Sequence, residues 1–446
     1  MLTLETATRR FTEKFSKSAQ LTADGRGVIP GGYSRTSFNF GPHAVFVSGG
    51  EGAFIDTIDG HRLMDLNNNF TVNILGHGNA AINDALIAAL PSGASFGNPV
   101  AEEAELAKLL ISRVDSIDMV QFSCSASESI MSAVRVARAF TGRTKIAKFE
   151  GGYHGFTDPV NISGHPHPAE EYGSDSDPLP VADSAGIPAV VIEQVIVLTQ
   201  NDLAGTERIL RANAHELACV LVELESGAGG HVVLRRDFVQ MLRRVTDELG
   251  IVLILDETMN LRGSINGMQS LYGVRGDLTV MGKIIGGGLP LGAVGGRADI
   301  MEVLADGRVP ISGTHHGQRL ALIAGLACMK ALDERAYDRL NAMAARILSE
   351  IAEWTTARGS GFTIFGGGYS SLAYAYCTEP GLTVDTHRDY WRNVDGEKTQ
   401  TFSLELANRG FFPVARGELS LSLAMTDDDI TSFIDAVKGI VSDMEA

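Results

Sequence analysis

The chain has 446 residues, 44% of them hydrophobic and 20% charged, which is enough to bury a large core in two or three lobes. Its 37 basic and 54 acidic side chains leave a net charge of −17, and that balance opposes non-specific attraction to nucleic acid or anionic membranes. Cys124, Cys219, Cys328 and Cys377 lie far apart with no CxxC spacing, so neither a disulfide framework nor a zinc site is suggested and a reduced, cytoplasmic setting is expected. No run of about 18 apolar residues suggests a membrane span, and the opening MLTLETATRRFTEKFSKSAQ mixes charges at helical spacing, unlike an export signal.

In chain order, VFVSGGEGAFIDTIDGHRLMDL (45–66) predicts a small antiparallel meander turning at Gly49-Gly50 and at Asp59-Gly60. Strand-like apolar runs follow at 119–123, 145–149, 189–197, 218–225, 251–257 and 278–282. Between them, ESIMSAVRVARAF and DFVQMLRRVTDELG repeat apolar residues at three and four, as amphipathic helices do. This alternation predicts an α/β fold with a mostly parallel central sheet covered by helices on both faces. A long helical stretch after residue 325 leads to further strand signals in FTIFGGGYSSLAYAYC and ELSLSLAM. The expected organisation is a large domain over 66–325 and a smaller α+β lobe built from 1–65 and 326–446. Residues 164–188, rich in Pro, Gly, Ser and Asp, read as a long mobile loop or a disordered insertion.

Three features carry chemistry. Asp256 directly follows the run IVLIL, and in an open parallel sheet ligand groups collect at the carboxyl ends of strands. A helix cap or a salt-bridged core acid is the alternative reading when it is taken alone. Lys283 ends LTVMG just before IIGGGLPLGAVGG; a lysine beside an enclosed cleft can act as a nucleophile, although a solvated lysine is the ordinary alternative. Ser125 and Glu128 in SCSASES have capping-box spacing and open a helix whose N-terminus suits a phosphate. A phosphate site, a carboxylate and a lysine at successive strand ends form the set that pyridoxal phosphate requires. The histidines of HHG (315–317) and HPH (165–167) have no clear zinc spacing and read as solvated loops, and no nucleotide-binding fingerprint is present.

The runs FEGGYHGF (149–156), LDETMN (255–260) and MGKIIGGGLPLGAVGGRADIM (281–301) resemble the class III aminotransferases, most closely the branch of glutamate-1-semialdehyde aminomutase and the β-phenylalanine aminotransferases. The resemblance runs from IPGGYSRTSF near residue 29 to SLSLAMTDDDI near residue 430. It implies the type I, aspartate-aminotransferase-like fold of pyridoxal-phosphate enzymes and a homodimer with active sites at the subunit interface. By the same resemblance Lys283 would hold the cofactor as a Schiff base and shuttle a proton, and Asp256 would pair with its pyridine nitrogen. Tyr153 and Thr258, the latter where the family usually has valine, would flank the ring, and Glu223 would join the cofactor site. Ser125, Ala126 and Ser127 would cradle the phosphate with Thr314 from the partner subunit. Two departures stand out: the usual SGTEA is SASES here, and the threonine loop ends in HHGQR.

YSRTSF resembles the segment in which the β-phenylalanine enzymes bind the substrate carboxylate, which makes Arg35 the first candidate anchor; Arg416 of VARGELSLSLAMT stands where that group has a second, mobile arginine. Guanidinium groups suit this task because they donate two parallel bonds to a carboxylate, while a surface ion pair is the ordinary alternative for each. The expected activity is transfer of an amino group from an amino acid, with a β-amino acid foremost, to a 2-oxo acid. An aminomutase or racemase on the same cofactor, or a binding protein without turnover, are the alternatives.

Overall fold

The computed structural model describes residues 2–165, 171–367, 369–381 and 383–446. These fall into two compact units, one formed by residues 1–80, 338–382 and 393–446, the other by 81–337 and 383–392.

In the first unit, β1 (Val47–Glu51), β2 (Phe54–Thr57) and β3 (Arg62–Asp65) make the expected antiparallel meander. Its second turn lies at Gly60, with φ 87°, but the first lies at Gly52, with φ 60°, and not at Gly49-Gly50. Gly49 and Gly50 are extended and pair with Asp56 and Ile55. A side chain at Gly50 would strike the His77 ring at 2.9 Å, so this glycine serves close packing and not a turn.

The second unit is built on a seven-stranded sheet. Its strands are β4 (Met119–Ser123), β5 (Lys145–Phe149), β8 (Val195–Leu198), β9 (Leu217–Val222), β10 (Val252–Asp256), β11 (Leu278–Met281) and β12 (Gly292–Gly296); β6 (Gly173–Ser174) and β7 (Asp177–Pro178) form a separate small hairpin. The sheet order is β4-β12-β11-β10-β9-β5-β8, and only β12 runs against the others. Central strands β9 and β10 are buried throughout, as strands covered on both faces must be. The helix Ala126–Thr141 starts at a Ser125/Glu128 capping box and stops at Gly142, left-handed at φ 69°. Its Ile130, Ala133, Val134 and Ala137 recur at helical spacing and pack on the sheet.

Two strand expectations need correction. Residues 189–197 were expected to be extended throughout, yet Ala189–Ile192 is a short helix after Pro188 and only Val195–Leu198 enters the sheet. Proline fixes φ near a helical value and lacks a donor, which suits the position before a first turn. Conversely GAVGG, with three glycines in five residues, carries no strand signal but forms β12. Added side chains would meet Ser125 O at 2.2 Å at Gly292 and Ile117 Cγ2 at 2.6 Å at Gly295, so tight approach to neighbours overrides weak propensity.

Where it is described, the 164–188 segment makes specific contacts; residues 166–170, including His167, lie outside the described residues. Tyr172 is buried, and Asp183 accepts the Gly164 and His165 backbone N–H groups. Arg388 fastens the segment. Its guanidinium takes Glu150 in two bonds of 2.7 and 2.8 Å, Asp175 at 2.6 Å, and the Tyr172 and Gly173 carbonyls. Arg388 and Glu150 are almost fully buried, so removing one partner strands the other charge.

In the first unit β13 (Phe362–Phe365), β14 (Ser371–Tyr376) and β16 (Glu418–Ser420) form a three-stranded sheet, while β15 (Phe411–Phe412) joins β3 in parallel. The helix Leu4–Lys14 sets Ala7 and Phe11 into a core with Phe40, Ile55, Leu63 and Leu404. Among the described residues, no helix is long and apolar enough to cross a membrane.

Arg388→Met is expected to lower unfolding free energy by about 3–5 kcal/mol, because Glu150 is left without its cation. A shift in the urea midpoint, absent for substitution of the exposed Arg392, checks it.

Candidate active site

Because six strands of the sheet share one direction, their carboxyl ends line one edge. Ser125–Ser127 follow β4, Tyr153 and His154 follow β5, Glu223 follows β9, Asp256 ends β10, and Lys283 lies two residues beyond β11. Five segments far apart in the chain are thus delivered to one edge by topology alone.

Asp256 is the centre of this cluster. His154 Nδ1 lies 2.8 Å from its Oδ2, and the Thr258 backbone N–H donates to Oδ1 at 3.0 Å. Burial opposes ionisation of Asp256, but the hydrogen bonds from His154 and Thr258 outweigh it and hold the carboxyl below its ordinary range. Burial likewise pushes His154 below its ordinary value, so its neutral ring donates through Nδ1. Its Nε2 is buried with no hydrogen-bond partner among the described residues.

Glu223 accepts the Tyr153 N–H at 3.1 Å and the Gly227 N–H at 3.4 Å. Burial first, then the Asp256 charge, pushes it up to about 8, while Lys283 pulls in the opposite direction. The two carboxylates are thereby driven apart, one ionised and one protonated at neutral pH. The neighbouring Glu257 takes no part in the cluster: it is turned to the Met268 and Gln269 N–H groups at 2.8 and 2.9 Å, a structural cap. Of the acidic pair in LDET, therefore, only Asp256 faces the edge.

Lys283 is half-buried and has φ 51°, a left-handed conformation at a non-glycine residue. Ser125 caps the helix by accepting the Glu128 N–H, and Glu128 returns the bond to the Ser125 N–H. Ala126 and Ser127 occupy its first turn, whose N–H groups have no carbonyl partner within the helix. Gly155, φ 95°, brings the YHG loop onto this turn, where a side chain would meet Ser127 Oγ at 2.4 Å. Tyr153 is about half exposed. Thr314 is exposed in a separate loop.

Pyridoxal phosphate fits these groups. The fit rests on a buried carboxylate kept ionised for a ring N–H, a lysine whose charge is felt by the neighbouring Glu223, and a helix N-terminus with first-turn donors for a phosphate. Ala126, the departure from glycine, fills space next to Gly282, where an added carbon would meet its Cβ at 3.0 Å.

His154 and Lys148 were missed in the sequence. His154 had a signal, since it sits inside the YHG motif read only for its tyrosine. Lys148, in β5, is buried with its amine on the Ile162 carbonyl and is pushed down to about 8 by burial; nothing in KIAKF distinguishes it from a solvated lysine. His316 does lie in a loop, but its side chain is not solvated as expected: its Nε2 lies 3.8 Å from Glu128, and ligand atoms of Cys124, Glu128 and His316 fall within 4.8 Å of one another.

The candidate anchors Arg35 and Arg416 belong to the other unit. Arg35 Nη1 donates to Asn69 Oδ1 at 2.8 Å, and its Cζ lies 4.7 Å from the centroids of both Phe38 and Phe70. The Arg416 Cζ lies 5.6 Å from the same Phe70 ring, and its Nε is paired with Glu418.

Fold and site together define a pyridoxal-phosphate-dependent enzyme of the α/β transaminase architecture. The class-III aminotransferase model matches residues 37–359, and the chain belongs to that family. A glutamate-1-semialdehyde 2,1-aminomutase of Myxococcus xanthus is 40% identical over 71% of this chain and 72% of its own. Among solved structures, an omega-transaminase from Sphaerobacter thermophilus superposes with a TM-score of 0.90 at 35% identity, covering 96% of this chain and 98% of its own. A β-phenylalanine aminotransferase from Variovorax paradoxus does so with 0.87 at 30% identity, covering 98% and 96%.

The raised Glu223 gives a pH signature. Its stabilising contribution is complete below the ordinary value of 4.5, where the group is protonated folded or unfolded, and is lost as pH rises through about 8. In protein freed of cofactor, Glu223→Gln should therefore flatten the fall in melting temperature across that window. Identical slopes for both proteins would contradict the assignment.

Proposed function

We propose that the chain is an aminotransferase that passes an amino group from an amino acid, with a β-amino acid such as β-phenylalanine as the expected donor, to a 2-oxo acid such as 2-oxoglutarate. The cycle is ping-pong, run by a cytoplasmic homodimer. One observation carries the choice of substrate: two guanidinium groups, Arg35 and Arg416, stack on one phenylalanine ring. A paired set of planar cations suits donors and acceptors that have a carboxylate in common.

When bound, pyridoxal phosphate supplies an electrophilic carbon for an amine and a ring that takes up electrons from the substrate carbon. The chain's residues do the rest. Asp256, kept ionised through His154, accepts the ring N–H and so keeps that nitrogen protonated. The Lys283 amine would hold the cofactor at rest, and its Nζ would take up and give back the proton that the reaction moves. Ser125, Ala126 and Ser127 hold the phosphate, together with the partner subunit's Thr314. Tyr153 and Thr258 confine the ring, and Glu223, protonated at neutral pH, lends a donor beside it. Arg35 and Arg416 orient the substrate by its carboxylate.

An aminomutase is the second reading, favoured by the 40% identity to the Myxococcus relative. The two differ in one requirement, since transfer needs an oxo-acid acceptor and an intramolecular shift does not.

Mixing the holoenzyme with β-phenylalanine, glutamate or alanine without acceptor separates them. One oxo product per site, with the cofactor's visible absorbance lost until an oxo acid is added, is the expected outcome. Continued turnover of the donor with no acceptor present would replace transfer by isomerisation. Lys283→Ala should lower kcat about a thousandfold or more while the melting temperature stays close to that of the parent without cofactor; retained turnover would remove Lys283 from its role.

A further inference from the structure

Cys124 and the histidines of HHG take no part in amino transfer, yet the fold brings Cys124 and His316 to one carboxylate. Cys124 directly follows β4, Glu128 lies in the first turn of the helix Ala126–Thr141, and His316 comes from the loop 313–317. One ligand atom from each falls within 4.8 Å of the other two. No zinc spacing is visible in the chain because the third group arrives from a distant segment. Glu128 is fixed in place: its Oε2 accepts the Cys124 and Ser125 N–H groups at 2.7 and 3.0 Å, and Oε1 is clear of those two bonds. His316 is fixed as well. Its backbone N–H closes a turn onto the Gly313 carbonyl at 3.0 Å, and the ring packs over Gly313, where an added Cβ would lie 2.5 Å from Nε2. Glycine at 313 therefore makes room for the imidazole.

The spacing suits an ion better than it suits direct bonds. At 3.8 Å, His316 Nε2 and Glu128 are too far apart for a hydrogen bond. Bonds of about 2.0–2.3 Å to a tetrahedral ion, by contrast, put two of its ligands about 3.3–3.8 Å apart. Where a pair is wider, the remaining closure of about 1 Å or less is within reach of side-chain rotation. The His316 Nδ1 is buried with no hydrogen-bond partner among the described residues, so no bond fixes the tautomer and Nε2 can offer its lone pair. Among the described residues, no lysine or arginine lies within 4.0 Å of the Glu128 carboxylate to neutralise it. A thiol, an imidazole and a carboxylate together select a borderline-soft divalent ion such as zinc over calcium or magnesium, which take oxygen ligands. The Glu128 side chain is 38% exposed, which leaves a fourth position to water.

We propose that Cys124, Glu128 and His316 form a binding site for one zinc-type divalent ion, which fastens the loop 313–317 to the start of the helix Ala126–Thr141. Coordination replaces the S–H bond of Cys124 by a sulfur–metal bond, and the proton leaves to the buffer. The site is independent of which substrate the enzyme uses. The test titrates zinc chloride into holoenzyme freed of excess cofactor, against a chelator of known affinity, for the parent, Cys124→Ser and His316→Gln. The parent should bind one ion per chain, and each substitution should weaken binding about a hundredfold or more, since losing a ligand costs at least as much as losing a ligand's own support. Cobalt in place of zinc should give the intense visible bands of a tetrahedral ion, at wavelengths beyond the cofactor's own band, and Cys124→Ser should abolish them. Zinc should also shield Cys124 from alkylation by iodoacetamide, in the parent and not in His316→Gln; Cys219, Cys328 and Cys377 are buried and stay silent. Equal affinity in all three proteins would mean an adventitious ion only and would overturn the proposal, as would cobalt bands of an octahedral ion or unshielded Cys124. Should His316→Gln fail to fold, the Cys124→Ser titration and the shielding of the parent decide the matter alone.

Discussion

A carboxylate stays ionised inside a protein only if partners replace the water it has lost, and the 2.8 Å bond from His154 to Asp256 is the first such partner. Much of the second unit's design follows from making that bond possible. Asp256 ends β10 and His154 lies past the end of β5, with β9 between them, so all three strands must run the same way and end level. The loop that carries His154 then lies across the end of β9, where the Tyr153 N–H meets Glu223. Burial first, and then the negative charge at Asp256, push Glu223 upward in turn. Charge state, loop path and strand direction are therefore one problem with one solution.

The same edge requires a helix N-terminus to come very close, and that requirement explains β12. Pairing of Gly292 with Ser123 puts β12 under the start of the helix Ala126–Thr141, where an added Cβ would lie 2.2 Å from Ser125 O. A strand of ordinary β-formers would push the helix start away from the sheet. Glycine weakens the strand locally, but the cost is spread over its paired neighbours on both sides, β4 and β11.

These constraints account for what could be read in the chain. Runs such as VLILD and LACVLV were legible because a strand buried on both faces must be continuously apolar, and Asp256 was legible because it interrupts one such run at its carboxyl end. The helix start at Ser125 was legible from its reciprocal Glu128. GAVGG was not, since its glycines answer to neighbours far away in the chain, as Ile117 does for Gly295. Residues 383–392 were equally opaque: a short polar stretch belongs to the second unit because Arg388 finds Glu150, more than two hundred positions upstream. Local propensity records what a segment prefers alone, and these segments are decided by partners.

Backbone strain follows the same logic. Lys283 and the turn Asn68–Thr71 both take left-handed conformations that their own side chains disfavour, at roughly 1–2 kcal/mol for each residue. In both places the residues on either side are tightly constrained, by β11 and the Gly286-Gly287 turn for Lys283 and by Asp65, Asn67 and Asn68 for the turn. A stability of some 5–15 kcal/mol, usual for a folded chain, tolerates such positions only when a larger packed framework absorbs them. The buried sheet supplies that framework for the lysine, and the Asp65–His77 pair with the Ser420 contact supplies it for the turn. Strain at these two places is thus a consequence of rigidity elsewhere: the framework fixes the ends, and the residues between take the path that remains.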